Sequence, residues 1–383
     1  MSLPEASPDP VRWLPTDERS EPTDGLGLCL SGGGYRAMLY HLGSLWRLSD
    51  AGFLGRLDRV SSVSGGSITA AVLGQNWSEL GFDGRGVAEG YEEHVVGPVR
   101  ELASRTVDEG AIAFGILTPD TIGERVAAAL RKHLFGERTL QDLPDSPRFV
   151  INATNLASGV LWRFSRPYMA DYRVGTIGSP SIALAEAVAA SAAFPPVLSP
   201  FVLELEDQPW ETVDGNELTG PEYRERVVLA DGGVYDNLGL ETVWKRCLTV
   251  LVSDGGGRLA EDPDPPADWP RQSIRVLKVI DNQVRDLRKR QIHDAYGSGA
   301  RLGAYWGIRS EIDDFGCPDP LPCPADRTLA LAELPTRLRA LDDPLQERLI
   351  NWGFAACDAA IRTRLDPDLG APAAFPYPEA GLG

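Results

Sequence analysis

The stretch of the chain best suited to covalent chemistry is residues 57–72, with Ser64 near its centre. β-branched residues precede this serine and good helix formers follow it, which predicts a strand, a sharp turn and a helix with the hydroxyl at the apex. A nucleophile elbow, G-x-S-x-G, has this arrangement, and its small residues let strand and helix approach closely. Here Gly65 and Gly66 follow the serine, whereas Ser62 replaces the first glycine. The alternative is an ordinary turn in which a serine caps the helix.

A serine hydroxyl becomes a good nucleophile only when a base takes its proton. Asp231 is the first candidate, because it ends a predicted strand at residues 227–230 and two glycines follow it. Enzymes of the α/β class place catalytic groups at such strand ends. Asp254, which precedes three glycines, is a competitor, and the alternative for either aspartate is that it shapes its own turn. The four histidines lie outside the predicted strand ends and turn motifs: His41, His94, His133 and His293.

A second glycine-rich turn, residues 31–37, lies between a predicted strand and a predicted helix and contains Gly32, Gly33 and Gly34. Its spacing fits the dinucleotide fingerprint G-x-G-x-x-A, but that site expects an acid at the end of the next strand, where this chain has serines. Backbone N–H groups at a helix N-terminus also suit an oxyanion hole. The third interpretation is a purely structural turn. The oxyanion hole is favoured, because a turn alone does not need three glycines.

The hydrophobic pattern predicts the elements that must position these turns. An apolar strand spans residues 26–31, a helix with one apolar face spans 38–53, and the elbow strand and its helix follow. This order is typical of a parallel sheet covered by helices on both faces, so the predicted fold class is α/β. Further strands are predicted at 148–154, 160–165, 248–253 and 274–280, and helices at 91–134, 182–193 and 345–359.

Three motifs occur in the order found in the patatin-like phospholipase family, which this chain resembles: Gly-Gly-Gly-Tyr-Arg at 32–36, Ser-Val-Ser-Gly-Gly at 62–66 and Asp-Gly-Gly at 231–233. The resemblance implies a three-layer α/β/α sandwich with a mostly parallel central sheet and added helices. It also implies a Ser–Asp dyad without histidine, with Ser64 as nucleophile and Asp231 as base. The implied oxyanion-hole residues are Gly32, Gly33 and Gly34, and the implied supporting residues are Arg36, Gly65 and Gly66. From about residue 258 onward nothing is carried over from the family.

The family acts on acyl lipids. The resemblance therefore implies a serine hydrolase that cleaves fatty-acyl esters of phospholipids or lysophospholipids at a membrane surface, without a metal or other cofactor. Its catalysis comprises two acyl transfers, first to the serine and then to water. Two alternatives of other classes stay open. One is an inactive, or an effector- or partner-regulated, lipid-binding module on the same fold, and the weaker one is a dinucleotide-binding oxidoreductase.

Composition and length limit partners, location and domain organisation. The 383 residues carry a formal net charge of −18, which argues against nucleic acid as a partner. Five cysteines without a paired pattern indicate a reducing compartment, and no segment reads as a signal peptide or a spanning helix, so we expect a cytoplasmic location with peripheral membrane contact. Residues 1–24 are expected to form a loosely ordered lead-in, and residues 25–383 a single domain.

Two regions of that domain are expected to be additions to the sandwich: a helical insertion at about 85–140 and a C-terminal helical extension at about 281–365. The extension contains a basic cluster at residues 285–290. This cluster has two interpretations, contact with lipid head groups or a solvated helix face on an acidic protein, and the second is preferred.

Overall fold

The computed structural model describes residues 22–108, 122–213 and 215–383. Most of the predicted lead-in, residues 1–21, lies outside the described residues. The described strands join into one mixed sheet: β1 (Thr23–Leu30), β2 (Arg59–Val63), β3 (Arg148–Asn155), β4 (Val160–Phe164), β5 (Tyr168–Asp171), β6 (Gly175–Gly178), β7 (Phe201–Glu204), β8 (Trp210–Glu211), β9 (Arg226–Asp231), β10 (Cys247–Asp254) and β11 (Leu302–Gly307).

One half of the sheet is parallel and the other is antiparallel. β11, β10, β1, β2 and β3 lie side by side in that order, and each neighbouring pair among them is parallel. From β3 the sheet continues through β4, β5, β6 and β8 with antiparallel pairs, and β9 pairs with both β3 and β7. The parallel strands carry the two glycine-rich turns, and the antiparallel extension was not predicted from the sequence.

Helices cover both faces of this sheet. The described α-helices are α1 (Gly34–Asp50), α2 (Gly65–Gln75), α3 (Gly97–Ala103), α4 (Ile122–Leu130), α5 (Leu184–Ser191), α6 (Pro221–Arg224), α7 (Gly233–Asp236), α8 (Leu240–Trp244), α9 (Trp269–Ser298), α10 (Ala325–Ala332) and α11 (Asp343–Arg364). Alternate residues of β1 reach opposite layers: Leu28 and Leu30 share the larger core with α1 and α11, whereas Cys29 packs in a smaller core with Leu240 and Ile292. The predicted α/β class, with helical layers on the two faces of the sheet, is therefore confirmed.

The C-terminal helix α11 is fixed directly to α1, and two glycines explain how. A Cβ added to Gly43 of α1 would lie 1.8 Å from the carbonyl oxygen of Ile350 in α11. The contact is reciprocal, because a Cβ added to Gly353 of α11 would lie 1.8 Å from the carbonyl oxygen of Tyr40 in α1. The two backbones touch where both chains have glycine, so α11 is a core helix of this fold.

One strand predicted from the sequence is wrong, because residues 274–280 lie inside α9. The Asp268 side chain caps this helix by accepting the N–H of Arg271 at 3.1 Å, and Pro270 lies in its first turn. A short β-branched apolar run has no periodicity that separates a strand from a helix, so the capping residues decide. The true edge strand is β11, which the sequence analysis missed because Gly303 and Gly307 interrupt its apolar pattern.

Of the two regions expected to be helical additions, the described part of the first is helical and the second also contains a strand. Residues 85–140 include α3, α4 and two π-helical turns, Glu92–Val96 and Arg131–Phe135, and residues 109–121 among them lie outside the described residues. Residues 281–365 include part of α9, then β11, α10 and α11. No helix of the described residues is long and apolar enough to cross a membrane. The expected domain boundaries stay predictions.

Candidate active site

The register of the sheet explains why Ser64 and Asp231 meet although they are far apart in the sequence. β2 pairs with β3 as far as Val63 opposite Asn152, and β9 pairs with β3 from Asp231 opposite Ala153. Since β4 occupies the other edge of β3 over the same residues, β2 and β9 share one edge and run toward each other. Their C-terminal ends therefore meet. Ser64 follows the last residue of β2, and Asp231 is the last residue of β9.

Ser64 has the strained backbone expected of a serine at the apex of an elbow. Its φ is 53° and its ψ is −120°, a conformation that side chains other than glycine rarely adopt and that costs roughly 1–3 kcal/mol. Its N–H donates to Ser191 Oγ at 2.9 Å, and its carbonyl oxygen accepts the N–H of Ser67 at 2.9 Å. These bonds hold the turn, and the whole residue is only 9% exposed.

A network of buried hydroxyl groups lies beneath the elbow. Ser67 Oγ lies 3.0 Å from Ser62 Oγ and 2.9 Å from Ser191 Oγ. Ser191 in turn donates to the carbonyl oxygen of Asn152 at 2.6 Å, and Ser62 donates to that of Val150 at 3.4 Å. Ser62, the residue that departs from G-x-S-x-G, therefore has hydrogen-bond partners under the turn.

We expect Ser62→Gly to keep hydrolytic activity within about one order of magnitude and to lower the free energy of unfolding by about 1–2 kcal/mol, because a buried hydrogen bond is lost and a strand residue gains backbone freedom. Urea unfolding and initial rates on a short-chain ester measure the two effects. Ser62→Ala is the matched control, since it loses the hydroxyl without adding backbone freedom. A large loss of activity in a folded Ser62→Gly variant would contradict this expectation and would give the hydroxyl a catalytic role.

The Asp231 carboxylate faces the Ser64 hydroxyl in a buried environment. Asp231 is 2% exposed, and its Oδ1 accepts the N–H of Gly233 at 2.7 Å. The Ser64 side chain lies close enough to the same carboxylate to favour its ionised form. Burial raises the pKa of Asp231 to about 7 although the Gly233 N–H and the Ser64 side chain lower it, and the neighbouring charge of Asp281 adds to the increase. A carboxylate with a pKa near neutrality is suited to act as a general base.

Asp254, the competing aspartate, lies in a different environment at the end of β10. Lys289 Nζ lies 2.9 Å from its Oδ2, Arg285 lies 3.7 Å from its Oδ1, and the Tyr305 hydroxyl donates to Oδ2 at 2.8 Å. Burial alone raises the pKa of Asp254, but Lys289 and Arg285 outweigh it and hold the pKa well below its usual range. Asp254 is therefore a permanent anion that anchors α9, which makes it a poor base.

The basic cluster at residues 285–290 thus faces inward for the most part. Arg285 and Lys289 pair with Asp254, and Arg288 donates to Glu241 Oε2 at 3.1 Å. The preferred interpretation of this cluster, a solvated helix face, is wrong for these three residues. Their positions three and four residues apart place them on one side of α9, and that side packs on buried carboxylates.

The glycine loop between β1 and α1 lies against the elbow. A Cβ added to Gly32 would lie 3.2 Å from the Cβ of Ser64. The N–H of Gly32 is already donated to the carbonyl oxygen of Asn237 at 3.0 Å. The N–H groups of Gly33 and Gly34, by contrast, make no hydrogen bond with any of the described residues. The N-terminus of α1 therefore has two N–H groups without an acceptor among the described residues, in a loop that contacts the elbow, and Gly32 instead links the loop to Asn237.

Arg36 ties the glycine loop to segments that are distant in the sequence. Its Nε donates to the carbonyl oxygen of Gly255 at 3.2 Å, and its terminal nitrogens contact the carbonyl oxygen of Leu334 and, at 3.1 Å, the hydroxyl of Thr336. Burial lowers the pKa of Arg36 to about 10, with a further contribution from Arg285, so the side chain stays charged at neutral pH. This buried cation is held by backbone and hydroxyl oxygens.

The elbow and the glycine loop touch through Gly65. A Cβ added to Gly65 would lie 2.2 Å from the carbonyl oxygen of Gly34, so the two turns could not keep their present positions. We expect Gly65→Ala to lower kcat/KM on a soluble ester by about a hundredfold, since misplacement of a reacting group by about 1 Å has an effect of that size. Gly97→Ala in α3 is the matched control, because its nearest neighbour would be 3.7 Å away. Equal activities of the two variants would contradict this expectation.

The histidines take no part in this arrangement. None of the four, all of which are among the described residues, shares a hydrogen bond with Ser64 or Asp231. His41 lies nearest to the glycine loop, with Nδ1 2.8 Å from Ser253 Oγ and Nε2 2.9 Å from the carbonyl oxygen of Ser31. Burial lowers the pKa of His41 to about 4, so this imidazole is neutral and bridges β1 and β10.

Two residues that support the glycine loop were missed by the sequence analysis. The side-chain oxygen of Asn237 lies 2.5 Å from where a Cβ of Gly32 would be and 2.6 Å from that of Gly233, so it fills the space between the two turns. The carbonyl oxygen of Arg337 accepts the N–H of Tyr35 at 3.0 Å. Asn237 could have been found from its closeness to Asp231 in the sequence, whereas nothing local marks Arg337.

A surface cleft of about 580 Å³ lies between α4 and β7, away from these residues. Neither Ser64 nor Asp231 lines this cleft. Half of its lining residues are charged: Glu124, Arg131, Lys132, Glu137, Glu186 and Glu204. This cleft is therefore unsuited to hold an acyl chain next to the serine.

The geometry defines a class of protein, an α/β sandwich with a strained serine, a carboxylate partner and a glycine loop. The family model of patatin-like phospholipase matches residues 28–244, which is more than half of the chain. The chain belongs to the patatin-like phospholipase family. No curated protein matches the sequence.

Solved structures with a similar fold include human GIVD cytosolic phospholipase A2 in complex with methyl gamma-linolenyl fluorophosphonate. It is 16% identical to this chain with a TM-score of 0.50, over 88% of this chain and 57% of that chain. VipD from Legionella pneumophila is 15% identical with a TM-score of 0.35, over 87% of this chain and 66% of that chain. This chain thus spans a little over half the length of the human phospholipase, and the likeness concerns the fold.

Proposed function

We propose that this protein is a serine acyl hydrolase that cleaves fatty-acyl esters of phospholipids or lysophospholipids. The observation that carries the proposal is the meeting of the C-terminal ends of β2 and β9, which places Ser64 beside the buried carboxylate of Asp231. Family membership supports an acyl lipid as the substrate class. The strained serine and the two free N–H groups beside it support acyl transfer as the reaction.

In the proposed mechanism, Ser64 Oγ attacks the ester carbonyl carbon while Asp231 takes the hydroxyl proton. The N–H groups of Gly33 and Gly34 hold the negative charge that develops on the carbonyl oxygen, and the N–H of Gly65 is a third donor of the kind that elbows supply. Asp231 then gives the proton to the departing alcohol, which leaves an acyl-serine. Water attacks this ester as Asp231 accepts its proton, and the fatty acid leaves when the proton returns to Ser64.

Arg36 is proposed to position the glycine loop without touching the substrate, because its guanidinium already donates hydrogen bonds to oxygens of other segments. Gly32 is left out of the proposed hole, since its N–H is donated to Asn237. Gly66 is proposed to support the elbow in a similar way, because a Cβ there would lie 2.5 Å from the carbonyl oxygen of Leu30.

One observation favours a regulated enzyme as the second candidate. Ser64 is 9% exposed and Asp231 only 2%, so a phospholipid can reach them only after neighbouring side chains move. An enzyme that opens on contact with an effector, a partner or a lipid surface fits this burial. The dinucleotide alternative gains no support, because family membership and the serines at the end of β2 both point elsewhere.

The experiment that tests the proposed function is hydrolysis of a mixture of phospholipids and lysophospholipids, with the released fatty acids identified by mass spectrometry. We expect fatty acids from the wild type and none above background from Ser64→Ala. Activity should persist in EDTA, because none of the proposed steps uses a metal. Absence of release from every lipid, with intact fold and with detergent present to open the site, would overturn the proposal.

A further inference from the structure

The first part of α9, residues 269–280, is the most exposed apolar stretch among the described residues, and we call it the projecting segment. All its residues except Arg275 are exposed. Six of its large apolar side chains have exposed fractions between 36% and 78%: Trp269, Ile274, Val276, Leu277, Val279 and Ile280. A helix that shows apolar side chains around most of its circumference needs a partner of its own, since soluble surfaces avoid large apolar patches.

The charges of the projecting segment identify the kind of partner. It contains Arg271, Arg275 and Lys278 and no acidic residue, within a chain whose net charge is −18. At 3.6 residues per turn, these three cations fall on one narrow face, and the six apolar side chains cover the rest of the circumference. A wide apolar face bordered by a basic strip is typical of helices that lie in the interface of an anionic membrane.

The position of the projecting segment connects it to the proposed active site. Its continuation within α9 is anchored by Arg285 and Lys289 on the buried Asp254. α9 also contacts α7, which begins two residues after Asp231. Two further apolar side chains next to the site are exposed, Phe194 by 44% and Val234 by 47%. The segment therefore leaves the body of the protein close to the catalytic pair.

We propose that the projecting segment docks this protein on a phospholipid bilayer, with its apolar side chains among the upper acyl chains and with Arg275 and Lys278 toward anionic head groups. This docking proposal rests on the proposed function, because it explains how an enzyme with a lipid substrate reaches that substrate in a membrane. A second copy of the chain is the less suitable occupant, because its own segment offers the basic strip three cations and no acidic residue. The docked orientation places the Ser64–Asp231 pair next to the membrane.

The test is co-sedimentation of the full chain with vesicles of phosphatidylcholine, with and without phosphatidylglycerol. It uses Ser64→Ala protein, so that no lipid is consumed and the binding result does not depend on catalysis. We expect Val276→Ser with Ile280→Ser to weaken binding about tenfold or more, because apolar side chains leave the bilayer. We expect the double substitution Arg275→Gln with Lys278→Gln to weaken binding about fivefold per charge removed, and only on vesicles that contain phosphatidylglycerol. Leu329→Ser, at an exposed leucine of α10, is the matched control and should change nothing.

The same substitutions with Ser64 intact separate docking from catalysis. Hydrolysis of a soluble short-chain ester should stay unchanged, and hydrolysis of vesicle lipid should fall in parallel with binding. If the wild type does not hydrolyse the short-chain ester, the proposed function is contradicted. The docking proposal is then still decided by the vesicle-binding measurement. Three outcomes would overturn the docking proposal: no vesicle binding by Ser64→Ala, unchanged binding after the apolar substitutions, or a dimer in sedimentation equilibrium that these substitutions dissociate.

Discussion

Ser64→Ala should abolish covalent labelling by a fluorophosphonate probe and lower acyl-ester hydrolysis by at least about a thousandfold, because the mechanism then has no nucleophile. The structure makes Ser64 different from the other buried serines. Among the buried serines of the described residues it alone has a positive φ, and it lies at the junction of β2 and β9 beside the Asp231 carboxylate. Mass spectrometry of the labelled peptide identifies the modified residue.

Ser62→Ala is the matched control for this experiment, since it removes a hydroxyl two residues away without touching the proposed nucleophile. We expect this control to be labelled like the wild type. Unchanged labelling of Ser64→Ala, with circular dichroism showing a native fold, would contradict the assignment. Labelling of Ser67 or Ser191 instead of Ser64 in the wild type would contradict the assignment as well.

The second large effect is expected for Asp231→Asn, which preserves the shape of the side chain and removes the proposed base. Hydrolysis should fall by about two to four orders of magnitude, the usual contribution of a general base. The wild-type rate should rise with pH through about 7, because burial raises the pKa of Asp231 to about 7 and only the ionised carboxylate accepts the serine proton. Rates on a short-chain ester between pH 5 and pH 9 measure both effects in one experiment.

Stability should change in the opposite direction from activity. The folded protein binds the Asp231 proton more tightly than the unfolded chain does, so this residue lowers stability as pH rises from about 4 through 7. At pH 8 the buried charge costs on the order of a few kcal/mol, and Asp231→Asn should therefore be at least as stable as the wild type. Urea unfolding at pH 8 tests this sign. A clear loss of stability in Asp231→Asn would contradict the buried, weakly acidic carboxylate described above.

Asp254→Asn is the control that separates a base from an anchor. The pKa of Asp254 is held low, so its stabilising effect is complete above about pH 4 and is lost as pH falls. Its removal leaves Lys289 and Arg285 without their buried partner, and we expect a stability loss of roughly 3–5 kcal/mol at pH 8. Activity per folded molecule should fall less than in Asp231→Asn. If the Asp231→Asn variant is active and a folded histidine variant is inactive, the proposed dyad is contradicted and a Ser–His mechanism is supported.

The turns that carry the proposed chemistry could be predicted from the sequence because their signals are local. A β-branched run, small residues and a helix former within one stretch specify the elbow at Ser64, and three glycines before an amphipathic helix specify the loop at 32–34. Each turn depends on close backbone approach, which glycine permits and larger side chains prevent. The order of predicted strands and helices gave the α/β class, and the motif order added the resemblance that implied a three-layer sandwich.

Local signals failed where the choice depends on a distant partner. Residues 274–280 have the composition of a buried strand, but Asp268 caps the helix that contains them and they pair with no strand of the described residues. The basic residues 285–289 have the pattern of a solvated face, but buried carboxylates of β10 and α8 neutralise them. The carboxylates lie more than 30 residues before their basic partners, so the sequence around residues 285–289 does not reveal them.

The two aspartates show most clearly what the tertiary structure decided. Asp231 and Asp254 each end a strand and precede glycines, so the sequence by itself determined two candidate bases, and only the motif order preferred one. The sheet register brings β9 along the edge of β3 toward the end of β2, which places Asp231 against Ser64. The parallel pairing of β10 with β1 and β11 places Asp254 beneath α9, where Lys289 and Arg285 hold it ionised. Burial without a cation suits one carboxylate to the proposed role of base, and burial with two cations makes the other an anchor, because the surrounding charge sets which protonation state is stable.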